Sequence, residues 1–186
     1  MLSFNFSPFP ILKTPRLLLR RLTADDAPQI FALRSNPETM KFIPRPLVTS
    51  MDEALEHFKM IDDKINSNEG INWAITLKDN PQLVGIIGHY RLQPENHRTE
   101  IGYMILPEFN GQGITTEAID AVLEYGFEVM QLHSVEAVID PENYASEKVL
   151  IKNGFVKEAH ILENELYEGK FWDTVIYSLL KRNFRK

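Results

Sequence analysis

The stretch that decides the fold is Gly111-Gln112-Gly113-Ile114-Thr115-Thr116-Glu117. It follows an apolar, strand-like run at 100–106 and opens an amphipathic pattern that continues to 130. The first N–H groups of a helix have no partner within the helix, and the helix dipole places about half a positive charge there. Glycine lets the backbone approach an anion because it has no Cβ. The stretch therefore predicts a phosphate-binding strand, turn and helix start, although a purely structural tight turn would show the same pattern.

The composition indicates an ordinary globular protein. The 186 residues are 44% apolar and 25% charged, which suits one domain with a sizeable core. The absence of cysteine excludes disulfides, thiolate zinc sites and cysteine nucleophiles. The net charge of −6 argues against a nucleic-acid partner. The five histidines show no metal-ligand spacing, so we expect no metal site.

The N-terminal residues and the apolar runs bear on location. Residues 1–6 lack a basic region followed by an uninterrupted apolar segment, so they do not resemble a signal peptide. All apolar runs are shorter than the roughly 20 residues that a membrane span requires. We therefore expect a cytoplasmic protein with no membrane partner.

The first part of the chain predicts an arm, a strand and two helices. Pro8 and Pro10 mark residues 1–13 as a loosely held N-terminal arm, so the domain is expected to span 14–182. The expected elements are a strand at 16–22, a helix from 23 to about 36, a proline-rich loop at 37–49 and a helix from 51 to about 66.

The remainder predicts a sheet that the glycine turn interrupts. The expected elements are strands at 72–77, 82–92 and 98–106, a helix at 114–130, a strand at 133–139, a helix at 144–153 and a hairpin of 155–162 with 171–180. Short connections make the first three strands antiparallel neighbours, whereas the crossover helix makes 133–139 parallel to 98–106. The pattern predicts a single α/β (α+β) domain, with a mixed, mainly antiparallel central sheet and helices on both faces.

Two nucleotide-binding classes do not fit the glycine turn. A Walker P-loop requires a lysine after its last glycine, but Gly113 is followed by Ile114 and Thr115. A dinucleotide fingerprint requires a third glycine and a preceding parallel strand. Here Thr116 stands at the third glycine position and the preceding strands form hairpins.

Four spaced motifs resemble those of the GNAT acyltransferases. The pattern Glu100-Ile101-Gly102-Tyr103, Pro107 and Gly111-x-Gly113-Ile114-x-Thr116-Glu117-Ala118 resembles the family's acetyl-CoA motif. Asn143-x-x-Ser146, followed by Lys152-Asn153-Gly154-Phe155, resembles the second motif of the family. The opening Thr14-Pro15-Arg16-Leu17 and the closing Gly169-x-Phe171-x-Asp173 are similar to the RimJ/RimL-like branch, whose members acetylate the N-termini of ribosomal proteins. The likeness covers about 14–182.

The resemblance implies acetyl-CoA as the cosubstrate. Backbone groups of Tyr103, Met104 and Ile105 would pair with the pantetheine arm, as an added strand pairs with an open sheet edge. The pyrophosphate would be held by the amides of Gly111, Gln112, Gly113, Ile114, Thr115 and Thr116, with Asn143 and Ser146 also at the coenzyme. The family usually has arginine or glutamine where Asn110 stands, and there is no lysine or arginine between 108 and 117. We therefore expect somewhat weak acetyl-CoA affinity.

The resemblance also implies catalytic groups. Many relatives place a tyrosine seven residues past the asparagine as the acid for the thiolate, but Leu150 stands there. Ser146 is the replacement, unless it is only a first-turn serine that bonds the backbone. Glu165 is one candidate base and Glu100, acting through water, is another. Without a catalytic role, Glu165 would be an ordinary residue of a solvated hairpin tip, and Glu100 would be a hydrogen-bonded structural carboxylate.

The predicted function is an N-acetyltransferase that moves an acetyl group to a primary amine by direct attack in a ternary complex. A site without a strong buried base favours a weakly basic α-amine, such as a protein N-terminus, over a lysine amine. Small-molecule acceptors stay open: a polyamine, an aminoglycoside or an amino acid. We expect the acceptor to enter between 37–66 and the hairpin near 163–171. A non-catalytic acyl-CoA-binding sensor is the alternative, and a homodimer is left open.

Overall fold

The computed structural model describes residues 1–185 and contains an eight-stranded sheet in the order β1-β2-β3-β4-β5-β6-β8-β7. The strands are β1 (Leu12–Lys13), β2 (Leu17–Arg20), β3 (Ile71–Leu77), β4 (Asn80–Gln93), β5 (Arg98–Ile105), β6 (Ser134–Ile139), β7 (Val156–Tyr167) and β8 (Lys170–Leu180). The helices are α1 (Ala27–Ser35), α2 (Pro37–Met40), α3 (Met51–Asn66), α4 (Ile114–Glu124) and α5 (Tyr144–Lys152). In the part of the chain that the structure describes, no helix is long and apolar enough to cross a membrane.

The sheet is mixed and mainly antiparallel, as the sequence predicts. Strand β5 pairs with β6 in parallel, and every other neighbouring pair among the described strands is antiparallel. Side chains alternate faces along a strand. Thr99 on β5 bonds His89, which in turn contacts Val122 of α4, whereas Met104 on the opposite face contacts Arg34 of α1. Helices therefore cover both faces, which confirms the predicted architecture.

The N-terminal segment is held more firmly than the sequence predicts. Phe6 is only 3% exposed, and its backbone N–H donates to the Asn68 side chain. The indole of Trp73, which is fully buried, donates to the carbonyl of Pro10 at 2.7 Å. Leu12–Lys13 adds a strand to the sheet edge. The expectation of a loose arm is wrong because apolar contacts and these distant partners anchor it; the domain limit at residue 14 stays a prediction.

Three other elements differ from the sequence prediction. The expected loop at 37–49 begins with α2, which forms because the Asn36 side chain accepts from the first N–H groups of that turn. The expected helix at 114–130 is α4 followed by one π-helical turn, Tyr125–Val129. The hairpin strands run to the turn at 168–169, so the expected tip at 163–165 lies within β7. That strand is mostly exposed, so it lacks the apolar alternation that marks a strand in sequence.

Candidate active site

Strands β5 and β6 diverge and leave a V-shaped gap in the sheet. They pair only from Arg98 with Ser134 to Glu100 with Glu136. Beyond that point β5 stays with β4 as far as Ile105, while β6 stays with β8 as far as Ile139. The gap opens toward the glycine turn and can admit an extended chain between the two strands.

The backbone of β5 alternates between β4 and the gap. The N–H of Leu106 donates to the carbonyl of Val84 on β4 at 2.9 Å. Since both backbone groups of a residue point to the same side in an antiparallel pair, Met104 also points to β4. Tyr103 and Ile105 therefore present their backbone groups to the gap. Of the three residues expected at the pantetheine arm, Tyr103 and Ile105 have backbone groups that face the gap. The backbone groups of Met104 face β4, and its side chain contacts Arg34 of α1.

The glycine turn has the geometry of an anion cradle. Gly111 and Gly113 have φ of +73° and +76°, a region that residues with a Cβ rarely adopt. Gly113 directly precedes α4, and no described side chain caps the first turn. The N–H groups of Ile114, Thr115 and Thr116 are therefore left for a ligand, as helix geometry requires. The residues present fit a pyrophosphate at this position.

Arg16 brings a positive charge to this turn that sequence reasoning missed. Its guanidinium donates to the carbonyl of Gln112 at 3.0 Å and to the Glu117 carboxylate at 2.6 Å. Thr14 also donates to Glu117. Burial alone would raise the pKa of Glu117, but the hydrogen bonds from Thr14 and Arg16 lower it. The turn therefore has a cation beside it, paired with Glu117, although none lies between residues 108 and 117.

Ser146 and Tyr103 meet beside the gap. Asn143 caps α5, accepting from the backbone N–H of Ser146 at 3.1 Å. The Ser146 hydroxyl shares a hydrogen bond of 2.6 Å with the Tyr103 hydroxyl. Burial raises the pKa of Tyr103 to about 12, and the bond to Ser146 opposes this only in part. The phenol therefore keeps its proton at neutral pH, which makes it a possible acid in addition to Ser146.

Glu100 is a partly buried carboxylate at the point where the strands diverge. Arg91 Nη1 lies 2.9 Å from its Oε2 atom, so the carboxylate is ion-paired. Burial raises the pKa of Glu100, and the Arg91 charge opposes this while Glu136 and Glu165 add to it. A carboxylate with a raised pKa can accept a proton.

Glu165 is on β7, at the far edge of the sheet, and is close enough for its charge to raise the pKa of Glu100. It pairs with Trp172 in the hairpin and forms an ion pair of 3.0 Å with Arg45. The expectation of a solvated hairpin tip is wrong, because the strand continues and Arg45 holds the carboxylate against the segment at 37–49.

A cleft lies where these elements meet, and we name it the acceptor-side cleft. It has a volume of about 80 Å³. It is lined by Lys41, Phe42, Pro44, Val138, Ile139, Asp140, Glu165, Trp172, Asp173 and Thr174. This is the location expected between 37–66 and the hairpin. Trp172 lines it, whereas Trp73 is in the core. Across residues 1–185, no three acidic or histidine side chains form a metal-binding group.

Comparison with known families gives one domain-level match. The sequence model of the family described as an acetyltransferase (GNAT) domain matches residues 16–156. An uncharacterized N-acetyltransferase of Bacillus subtilis (strain 168), YoaA, is 36% identical over 173 residues, which are 93% of this chain and 98% of that protein. The spermidine N(1)-acetyltransferase of Vibrio cholerae is 25% identical over 170 residues, covering 91% and 95% of the two chains.

Solved structures show the same similarity. A GNAT-family acetyltransferase from Bacillus anthracis superposes with a TM-score of 0.82 at 28% identity, covering 93% of this chain and 99% of that one. RimL, a ribosomal L7/L12 α-N-protein acetyltransferase solved with coenzyme A, gives a TM-score of 0.82 at 21% identity, covering 92% and 98%. At this identity, the likeness to RimL is one of fold.

Proposed function

This chain belongs to the GNAT acetyltransferase family, and we propose that it transfers the acetyl group of acetyl-CoA to a primary amine by direct attack in a ternary complex. The observation that carries the proposal is the V-shaped gap, which joins a carboxylate at its apex to an anion cradle at its open end. An extended thioester between these two points meets the acceptor amine beside Glu100.

The coenzyme is held largely by backbone groups. The N–H and C=O groups of Tyr103 and Ile105 pair with the amides of the pantetheine arm. The amides of residues 111–116, with Arg16 beside them, bind the pyrophosphate. A backbone N–H of β5 facing the gap donates to the thioester oxygen as negative charge develops there.

Glu100 is the base that we assign. Attack requires a neutral amine, and the attacking nitrogen must lose a proton as the C–N bond forms. The Glu100 carboxylate, whose pKa burial raises, accepts that proton directly or through water. Glu165, which is ion-paired with Arg45 at 3.0 Å, is the alternative base.

The Tyr103–Ser146 pair supplies the proton for the leaving thiolate. When the C–S bond breaks, the sulfur of coenzyme A becomes negative and needs a proton. The hydroxyl beside the sulfur gives it a proton and takes one from the other hydroxyl, and the pair regains a proton from solvent after coenzyme A leaves. Burial raises the pKa of Tyr103, so its hydroxyl is a weak acid on its own. The hydrogen bond to Ser146 lets a proton pass between the two hydroxyls, and we therefore treat the pair as one acid.

A weakly basic α-amine suits this site better than a strongly basic one. An α-amine with a pKa near 8 is about one-tenth neutral at pH 7, whereas a lysine amine near 10.4 is almost wholly charged. Spermidine, which the Vibrio cholerae relative is named for, is a polycation. The cleft lining carries Asp140, Glu165 and Asp173 against Lys41, so its charge does not oppose a polycation, and we rank spermidine second on the basicity of its amines alone.

The test is acetyl-CoA turnover with a panel of amines: N-terminal peptides, amino acids, polyamines and aminoglycosides. We expect amine-dependent release of coenzyme A, with the acetylated amine found by mass spectrometry. The Arg16–Glu117 ion pair leaves the phosphate-binding turn without net positive charge, which favours the other candidate, a non-catalytic acyl-CoA sensor. Tight binding of acetyl-CoA without turnover of any amine would replace the enzyme with that sensor.

A further inference from the structure

The acceptor-side cleft is too small for the acceptor that the proposed reaction requires. Its volume is about 80 Å³, whereas pockets that bind small molecules measure about 300–1,000 Å³. Three parts of the chain form its walls: the end of β6, the β7–β8 hairpin and the segment at 41–44. One of these walls must therefore move before an amine can enter.

Two of the three walls are fixed by the sheet. The cleft residues of strand β6 lie within its ladder with β8, which continues to Ile139 opposite Val175. Glu165 and Trp172 lie opposite each other in the ladder between β7 and β8. Displacement of either wall would break hydrogen bonds between strands and leave backbone groups without partners. The sheet side of the cleft is therefore the rigid side.

The third wall belongs to the segment 41–47, which has turn and irregular structure. Its described backbone hydrogen bonds are local, from the Ile43 N–H to the Met40 carbonyl at 2.8 Å and from the Arg45 N–H to the Ile43 carbonyl at 2.7 Å. The segment is anchored at both ends, because Met40 is only 4% exposed and the Val48 N–H donates to a carbonyl at the end of α1 at 3.1 Å. Residues 41–47 can therefore move about these two ends without disturbing the sheet.

An ion pair joins this segment to the hairpin. Arg45 Nη1 donates to the Pro44 carbonyl within the segment at 2.6 Å, and to Glu165 Oε1 on β7 at 3.0 Å. The side chains of Arg45 and Glu165 are 54% and 33% exposed, so water and salt screen their attraction. A pair of this kind can hold the segment closed and still break in every catalytic cycle.

A buried donor opposes the closed position. Trp172 lines the cleft, and its Nε1 atom is buried without a hydrogen-bond partner. Native proteins keep few such groups, since an unpaired donor has lost its bonds to water and gained none in return. Outward movement of 41–47 would let water reach this atom. The closed position is therefore held by a weak attraction and opposed by an unpaired donor, as a wall that opens in each cycle requires.

We propose that residues 41–47 are a lid over the acceptor-side cleft, and that Arg45 is a positioning residue that closes the lid by pairing with Glu165. This inference rests on the proposed function, since it concerns how the amine reaches the thioester. The open lid admits the acceptor. The closed lid then holds the acceptor against the sheet and keeps water away from the reacting groups.

Acrylamide quenching of tryptophan fluorescence measures the lid directly, because the chain has two tryptophans. Trp73 is fully buried, so a change in quenching reports Trp172. In Arg45→Met the lid loses its ion pair and is open for more of the time, and we expect the quenching constant to rise about twofold or more. Arg182→Met, at an exposed arginine in the C-terminal turn, is the matched control and should follow the wild type. Equal quenching in Arg45→Met and wild type would overturn the lid.

Exchange of the two charges distinguishes a lid from catalysis by Glu165. Arg45→Glu and Glu165→Arg each place like charges beside one another, so kcat/KM for the acceptor should fall about tenfold while the KM for acetyl-CoA stays the same. The double variant restores an opposite pair and should return kcat/KM to within about threefold of the wild type. A double variant as slow as Glu165→Arg would overturn the role of Arg45. Absence of turnover with every amine would instead overturn the proposed function, and the quenching measurement would still decide whether the lid exists.

Discussion

At the scale of single residues, the site depends on carboxylates and cations that come from distant parts of the chain. Glu100 and Glu165 were both candidate bases in the sequence, and the structure distinguishes their surroundings. Each carboxylate has an arginine partner, Arg91 for Glu100 and Arg45 for Glu165, but Glu100 has a pKa raised by burial. The local chemistry therefore favours proton uptake at Glu100.

Replacement of the two glutamates should give different kinetic results. We expect Glu100→Gln to lower kcat about 100-fold or more, because a general base contributes about that factor. Glu165→Gln should lower it about tenfold or less, through loss of the Arg45 contact. Below the pKa of Glu100, log(kcat/KM) of the wild type should rise with a slope of about two, from the base and the amine together, and the slope in Glu100→Gln should be about one. A larger loss in Glu165→Gln than in Glu100→Gln would reverse the assignment.

Arg16 should affect coenzyme binding but not chemistry. In Arg16→Met, the KM for acetyl-CoA is expected to rise about tenfold with kcat little changed, because the lost cation stands beside the phosphate cradle and not beside the thioester. Isothermal titration with coenzyme A and with dephospho-coenzyme A would show which phosphate is contacted. The exposed Arg182→Met variant is again the control. An unchanged affinity for both ligands in Arg16→Met would remove Arg16 from the binding site.

At the scale of elements, the N-terminal segment is part of the fold. It adds β1 to the sheet edge and covers Trp73 through the carbonyl of Pro10. The same segment leads directly into Thr14 and Arg16, which hold the first turn of α4 through Glu117. A loss of packing at the N-terminus should therefore weaken the contacts of Thr14 and Arg16 that hold the helix start after the glycine turn.

Phe6 offers a direct measure of this packing. We expect Phe6→Ala to lower the free energy of unfolding by about 3–5 kcal/mol, since the ring is 3% exposed and leaves a cavity when it is removed. Phe171→Ala is the matched control because that ring is 56% exposed, and its cost should stay below about 1 kcal/mol. Urea denaturation measures both. Similar midpoints for the two variants would show that the segment is held as loosely as the sequence alone indicates.

At the scale of the whole molecule, the pairings of β3 to β6 and the β7–β8 hairpin could be predicted from sequence, but several long-range contacts could not. Helix α3 has the predicted bounds at 51–66, because a serine cap and helical spacing mark it locally. The contact of Arg16 with Glu117 joins positions 101 residues apart and leaves no local pattern. The sequence predicts too short a strand β7 for a related reason. Its residues are mostly exposed and of mixed character, and its pairing with β8 shifts register between Ile161 and Glu165.

Stability of the whole fold should depend on pH through a buried histidine. His89 donates from Nε2 to the Val122 carbonyl and accepts at Nδ1 from Thr99. Burial lowers its pKa from 6.5 to about 4, and the bond to Val122 opposes this. Between these values the unfolded chain binds more protons than the folded chain, so stability is complete above pH 6.5 and falls as the pH drops toward 4. The loss should reach about 3 kcal/mol at the acid end.

Urea denaturation across this range, in wild type and His89→Gln, measures the effect. The variant should be less stable at neutral pH but should lose less stability on acidification. His133→Gln, at an exposed histidine, is the matched control and should follow the wild type. Burial also lowers the pKa of His57 to about 4, so His57 contributes a loss of stability in acid in the same direction. It accounts for the pH dependence of stability that remains in His89→Gln. Identical pH dependence in His89→Gln and wild type would contradict this account.

The most direct test of the central claim is a set of initial rates at several fixed concentrations of the amine that the panel identifies. Direct transfer in the V-shaped gap requires acetyl-CoA and the amine to be bound together before coenzyme A leaves. The account predicts double-reciprocal lines that intersect, with no acetylated protein detected by intact mass when acetyl-CoA is added alone. Parallel lines together with an acetylated protein would mean a covalent intermediate and would contradict direct attack.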